Sequence, residues 1–240
     1  MNTGTALILG ASSDIGGSLI ERYLASGWRV IAHYNQPNSD LVRRFESTSE
    51  VSLFRLDLRD LSYVEKFLAQ SKIIEEHRID AFVNCVGYLQ PQAFMQITPA
   101  NLLSTISANA CSAILFIQKI IPPMIEQKWG RVVSLGSIGV KFGGGATSYA
   151  YSLSKHMLEF FPTEYKSWAQ DNVLLNTIRV GVTNTRMHGL HPGKNMSDRI
   201  KMIPMGRMAE TSEIADFAFW LGSSSNTFIT GEVLGIAGGE

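Results

Sequence analysis

Seven short apolar runs, separated by longer stretches with helical spacing, constrain this chain more than any other feature. The runs occupy residues 6–9, 30–32, 51–56, 81–83, 131–135, 174–180 and Val233–Ile236. They are nearly continuous in Ala, Val, Ile and Leu instead of alternating with polar residues, as strands covered on both faces are. Residues 15–26, 62–76, 101–126 and 152–170 lie between them and carry the helical period. This order predicts an α/β chain: a doubly wound, mostly parallel seven-stranded sheet with helices on both faces. Pro162 conflicts locally with the last helix, because an interior proline removes a hydrogen bond and clashes with the preceding turn. A kink near Phe161, or a helix that starts later, is expected there.

A chain of 240 residues, 45% of them hydrophobic, fills one core, so residues 1–240 are read as a single domain. The 21 basic and 21 acidic side chains cancel, giving no electrostatic footprint for nucleic acid, and no block of like charge marks a membrane surface. Cys85 and Cys111 are too few for a disulfide framework and lack metal-ligand spacing. They are read as reduced thiols, which implies a cytoplasmic location and no metal site. The apolar stretch before Gly10 is too short for a secretory or membrane segment.

Directly after the first strand, Gly10-Ala11-Ser12-Ser13-Asp14-Ile15-Gly16 opens a helix. Glycines allow a tight turn and close backbone approach, and a helix N-terminus favours an anion, so this segment reads as a dinucleotide pyrophosphate site. Further along, Tyr151-Ser152-Leu153-Ser154-Lys155 places a phenol and an ammonium on one helix face. Lowering a phenol pKa from near 10 to about 7 takes roughly 4 kcal/mol. An ammonium about 4 Å away supplies that order of energy at an intermediate dielectric. Ser137 ends the strand upstream, where its hydroxyl would hold a substrate oxygen. Tyr149 is the weaker tyrosine candidate, since Leu153 and not a lysine lies four residues on.

Together these motifs resemble the short-chain dehydrogenase/reductase family, in its single-domain Rossmann-fold branch and nearest its 3-oxoacyl-carrier-protein reductase-like members. Gly10 to Gly16 resembles the family's glycine-rich turn, Asp57-Leu58 its adenine-contacting pair, and Asn84-Cys85-Val86-Gly87 its Asn-Asn-Ala-Gly segment. Asn109, Ser137, Tyr151 and Lys155 match the catalytic tetrad. Val180-Gly181 with Thr185 and Met187 matches the Pro-Gly turn and Thr-x-Met stretch. The segments 203–207 and 229–231, with Gly238-Gly239, complete the order.

The resemblance implies an oxidoreductase that moves hydride between a nicotinamide and a carbonyl or secondary alcohol. Tyr151 would be the general acid or base and Lys155 would depress its pKa and bind the nicotinamide ribose. Ser137 would orient the carbonyl, and Asn109 would hold a relay water. It assigns Gly10, Ser12, Ser13, Asp14, Ile15, Gly16, Tyr34, Asn35, Asp57, Leu58, Asn84, Gly87, Tyr151, Lys155, Gly181, Thr183 and Thr185 to the cofactor.

Four departures stand out. Asp14 replaces the turn's usual glycine, so its carboxylate must face away from phosphate. Cys85 and Val86 alter the fourth-strand motif. Val180 replaces proline, which predicts a looser turn. One extra residue separates Ser137 from Tyr151 and is assigned to Gly143-Gly144-Gly145.

No acidic residue follows the second strand in Ala32-His33-Tyr34-Asn35-Gln36, and no Arg or Lys stands there either. NADP(H) is therefore favoured over NAD(H) by a small margin. Phe94, Val140, Phe142, Met187 and His188 are candidates for the substrate side, under a cover at about residues 185–200 that includes Gly189, Pro192 and Gly193. His188 and His191 are read as loop residues and not as a metal pair. The expected partner is a small carbonyl or alcohol, without nucleic acid or membrane. A homo-oligomer, tetramer or dimer, is expected to use residues 101–126, 152–170 and 231–240. The rival readings are a cofactor-binding regulator without turnover, and an epimerase or dehydratase using the same Tyr-Lys pair.

Overall fold

The computed structural model describes residues 4–36, 40–190 and 195–240. The expected strands form as β1 (Thr5–Leu9), β2 (Arg29–Tyr34), β3 (Val51–Arg55), β4 (Ala81–Asn84), β5 (Gly130–Leu135), β6 (Val173–Val180) and β7 (Val233–Ile236). They make one sheet in the order β3-β2-β1-β4-β5-β6-β7, with every pairing parallel. The helices are α1 (Asp14–Leu24), α2 (Asp40–Phe45), α3 (Leu61–Gln70), α4 (Lys72–Glu75), α5 (Pro99–Ile106), α6 (Ser112–Glu126), α7 (Tyr149–Met157), α8 (Tyr165–Trp168), α9 (Met196–Lys201) and α10 (Thr211–Leu221).

Side chains alternate across each strand, so one sheet feeds two cores. Ala6 and Ile8 of β1 face α1, α2 and α10, where Leu19, Ile20, Tyr23, Leu41, Ile214 and Ala218 are buried. Leu7 and Leu9 face the opposite layer, built from Val64, Leu68, Phe116, Ile120 and Met124 of α3 and α6. Caps fix where helices begin. The Ser13 hydroxyl accepts from Gly16 N (3.0 Å), Asp60 accepts from Tyr63 N (3.0 Å), and Thr98 accepts from Asn101 N (3.2 Å) with Pro99 opening the helix.

Two helices differ from expectation. The helix expected over residues 152–170, kinked near Phe161, instead stops at Met157 with Leu158 as its C-cap, and α8 is a separate short turn. The reason is steric: Pro162 would clash with the carbonyl four residues back, that of Leu158, and its predecessor is disfavoured in helical conformation. The segment over residues 99–126 is interrupted by a π turn at Ser107–Cys111, which carries the buried Asn109. Residues Pro99–Glu126 have the length and apolarity of a membrane span. Their Phe116, Ile120 and Met124 pack instead into the core beneath the sheet.

Strand order reverses between β1 and β4. In an open parallel sheet this reversal leaves a crevice beyond the carboxyl ends of the strands, where ligands bind. The residues after β1, β4 and β5 form its lips.

Candidate active site

On the β1 side, Gly10 has φ 74°, and a Cβ there would stand 2.8 Å from the backbone of Val86, so only glycine lets the two lips meet. A side chain on Gly16 would reach within 2.6 Å of Ala11. The Gly10 amide donates to His33 Nδ1 (3.0 Å), while His33 Nε2 faces the Leu56 carbonyl (2.8 Å). Burial holds the His33 pKa down at about 4, against smaller opposing effects of the Leu56 carbonyl and Asp57. The neutral ring thus ties the turn to the end of β3. The sequence reading missed this role of His33.

The first-turn amides of Asp14 and Ile15 have no intrahelical acceptor by the geometry of a helix start. That donor set suits a pyrophosphate, provided the Asp14 carboxylate is dealt with. It is: Arg186 donates to it through its main-chain N (2.7 Å) and Nε (2.7 Å), and Nη2 reaches the Ser12 carbonyl (3.3 Å). The expected outward-facing carboxylate therefore has a partner 172 residues away. Nothing at either position revealed that partner in the sequence.

At the end of β2, Tyr34 pairs in register with Arg55 of β3, whose Nε donates to the Asn35 carbonyl (2.9 Å). The sequence reading found no arginine in this region, and register supplies one. Asp57 is engaged by Arg59 through the main-chain N (3.0 Å) and Nε (2.9 Å), and this arginine keeps its carboxyl below the usual range. Leu58 is 4% exposed and belongs to the core.

On the β4 lip, Asn84 is fully buried. Its Oδ1 accepts from Val86 N (3.2 Å), and its Nδ2 donates to the Asn109 carbonyl (3.3 Å). The π turn points Asn109 inward, where Oδ1 accepts from Tyr88 N (2.7 Å) and Nδ2 donates to Tyr88 O (2.8 Å) and Ser154 Oγ (2.9 Å). Through these contacts the Asn109 amide braces the β4 lip against α7. Ser154 was not singled out from sequence. It completes the brace by donating to Tyr151 O (2.7 Å).

Tyr151 and Lys155 share one face of α7, with Nζ 5.7 Å from the phenol ring centroid. The ammonium donates to Val86 O (2.7 Å) and Leu135 O (2.5 Å), joining the exits of β4 and β5. Burial pushes the Tyr151 phenol up to about 12 and the Lys155 ammonium down to about 8. Burial is the cause of the phenol's rise, so the depression expected from Lys155 is not seen here. Ser137 caps a short 3-10 turn over Ile138–Phe142 by accepting from Gly139 N (3.1 Å). That turn ends on Gly143 and Gly144, both left-handed, with φ of 69° and 87°.

The expected loosening at Val180 is not seen. Val180 stays in β6 opposite Ile236, and a Cβ on Gly181 would lie 2.6 Å from Ala237. Thr183 is buried and its hydroxyl donates to Gly181 O (3.1 Å), which shapes the turn. Thr185 is half-buried at the crevice. Met187 reaches over Gly87, where a Cβ would meet its terminal methyl at 2.6 Å. His188 Nε2 is 2.8 Å from the Thr183 carbonyl. Phe94 packs edge-on against Tyr149 (centroids 4.8 Å apart) and, like Phe142, is more than half exposed, while Val140 is half-buried. His191, Pro192 and Gly193 lie outside the described residues.

A parallel sheet takes a dinucleotide where its strand order reverses, and here that reversal also carries a phenol and an ammonium suited to proton transfer. The class is the nicotinamide-dependent oxidoreductases. A family model described as enoyl-(acyl carrier protein) reductase matches residues 10–240, and the chain belongs to the short-chain dehydrogenase/reductase family. It is accordingly an oxidoreductase that transfers hydride between a nicotinamide dinucleotide and a carbonyl or secondary alcohol. The 3-oxoacyl-[acyl-carrier-protein] reductase FabG of Thermotoga maritima is 28% identical over 238 residues, spanning 97% of this chain and 96% of its own. Acetoacetyl-CoA reductase of an Acinetobacter species is 28% identical over 239 residues, 98% and 96% of the two chains. The crystal structure of a 3-oxoacyl (acyl-carrier-protein) reductase from Agrobacterium tumefaciens, with NADP bound, is similar at a TM-score of 0.85. It is 26% identical and covers 99% of this chain and 94% of that one.

Proposed function

We propose that the chain is an NADP(H)-dependent reductase of small carbonyl compounds, with Tyr151 as the proton donor. The observation that carries this reading is the Tyr151–Lys155 face of α7, set beside the strand-order reversal and locked there by the Val86 and Leu135 carbonyls. With its pKa near 12, the phenol holds its proton at neutral pH, the form needed to protonate a developing alkoxide. Lys155 places positive charge under that proton. Its ammonium has three N–H groups and two are taken by carbonyls, which leaves one to hold a ribose hydroxyl. The Ser137 hydroxyl, anchored at the head of its turn, orients the substrate oxygen. Asn109 and Asn84 keep the β4 lip fixed against α7. The bound dinucleotide supplies the hydride.

The preference for NADP(H) rests on Arg55 at the adenosine end and on the absence of a carboxylate among residues 34–36. The exposed aromatic pair Phe94–Tyr149, with Phe142 exposed on the turn after Ser137, suits an uncharged, partly apolar substrate. Exposed Phe160, Trp220 and Phe228 support a homo-oligomer, and the free thiols Cys85 and Cys111 support a cytoplasmic location.

The test is a panel of ketones, aldehydes and 3-oxoacyl thioesters with NADPH and with NADH, read by loss of nicotinamide absorbance. Tyr151→Phe is expected to keep NADPH affinity within about twofold while lowering turnover at least ~100-fold, the usual worth of an acid-base group. Undiminished turnover in that variant rejects Tyr151 as the donor, and tighter binding of NADH than NADPH reverses the cofactor preference.

A further inference from the structure

Asp14 places a carboxylate in the first turn of α1, where the donor amides for a pyrophosphate are also found. A negative charge there works against the anion that the turn is built to receive. Arg186 meets it with a three-point contact: main-chain N and Nε on the two carboxylate oxygens, and Nη2 on the Ser12 carbonyl. Arg186 follows Thr185 in the segment that leaves β6. The next residue, Met187, lies over Gly87 on the opposite lip. Two consecutive residues of this segment thus touch both sides of the crevice, Arg186 on the β1 turn and Met187 on the β4 exit.

We propose that Asp14 and Arg186 form a charge-cancelling clasp that fastens the segment after β6 across the crevice and lets the turn accept a dinucleotide despite its carboxylate. Arg186 is a positioning residue in this scheme. It neutralises Asp14 and holds Thr185 and Met187 over the site. An exposed ion pair by itself contributes little. This one differs because the main-chain amide fixes the carboxylate and because its neutrality decides what a third charged group, the pyrophosphate, meets. The clasp rests on the cofactor reading above.

The experiment measures NADPH dissociation constants by fluorescence titration for the wild type, Arg186→Met, Asp14→Asn and the double variant, at low and high salt. Unit charges a few ångström apart in a partly wet cleft are equivalent to roughly a factor of ten in affinity. Arg186→Met is therefore expected to weaken NADPH about tenfold at low salt, with the deficit shrinking at high salt. Asp14→Asn leaves the Arg186 charge unopposed and is expected to tighten NADPH by up to about tenfold at low salt, and adding it to Arg186→Met brings affinity back near the wild-type level. A purely structural role for Arg186 would give a salt-independent deficit that the second substitution deepens, and that result overturns the clasp. Equal affinity of Arg186→Met and wild type also overturns it. Wild type that fails to bind NADPH or NADH at all rejects the cofactor reading and the clasp together, so the two failures are distinguishable.

Discussion

His33 offers a direct measure of how tightly the cofactor turn is built into the sheet. Its ring lies between a donor, the Gly10 amide on Nδ1, and an acceptor, the Leu56 carbonyl on Nε2, and it is only 3% exposed. That pairing fits one neutral tautomer. A second ring proton would face the Gly10 N–H, in a place where burial already disfavours charge. The folded pKa is accordingly about 4, against 6.5 in an open chain. The folded value is the lower one, so between pH 6.5 and 4 the unfolded chain binds a proton that the native state does not. Stability therefore falls as pH drops through that window. The full difference corresponds to roughly 3 kcal/mol, of which about 2 kcal/mol is lost between pH 7 and pH 4.5.

The assay compares urea midpoints of wild type and His33→Asn from pH 7 to pH 4.5. The variant starts less stable, because a smaller side chain cannot bridge both partners. Its profile is expected to be flatter than wild type by about 2 kcal/mol, since the carboxylates titrate alike in both proteins and cancel in the difference. Parallel profiles, or a His33 ring resonance that titrates near pH 6.5, would refute the assignment of a buried neutral bridge.

Gly16→Ala drives a methyl to 2.6 Å from Ala11 backbone atoms. It is expected to lower stability by about 3 kcal/mol in urea unfolding and to abolish measurable NADPH binding in titration. Lys155 has a folded pKa near 8, below its open-chain value of 10.5, so the native state gives up its proton first and stability rises with pH across that interval. About 2 kcal/mol of that rise falls between pH 8 and pH 10, and Lys155→Met is expected to remove it, as read from thermal unfolding at those two pH values.

The strands were legible because each is buried on both faces and reads as a continuous apolar run. Prolines show where local reading fails. Pro122 and Pro123 lie inside α6 without ending it, whereas α7 stops at Met157, five residues before Pro162. The first pair is flanked by Phe116, Ile120, Ile121 and Met124, whose burial offsets the lost hydrogen bonds. Phe160, beside Pro162, is 90% exposed and contributes no such burial. The Tyr-Lys pair was legible because it is local, four residues apart on one face. The π turn at Asn109 was not, since its cause is tertiary: Tyr88 and Ser154 both claim the amide. Arg55 and Arg186 reach the site through strand register and through a loop that crosses the crevice, and neither is written near the residue it serves.

The β4 exit explains which departures from the family pattern this chain tolerates. Gly10 presses on the backbone of Val86, Asn84 accepts its N–H, and Lys155 donates to its carbonyl. Asn109 grips both main-chain groups of Tyr88. Gly10 and Lys155 meet Val86, and Asn109 meets Tyr88, through backbone atoms, so these contacts do not specify the side chain at residue 86. Val86 turns into the core, and Cys85 packs beneath the turn with its thiol donating to Leu9 O (3.0 Å). At the other two positions the side chain itself is the requirement. Asn84 must bond its own strand exit and the Asn109 carbonyl at once, and Gly87 must leave room for Met187. Asn84 and Gly87 are accordingly the two residues of the motif that this sequence keeps, while Cys85 and Val86 are the two it replaces.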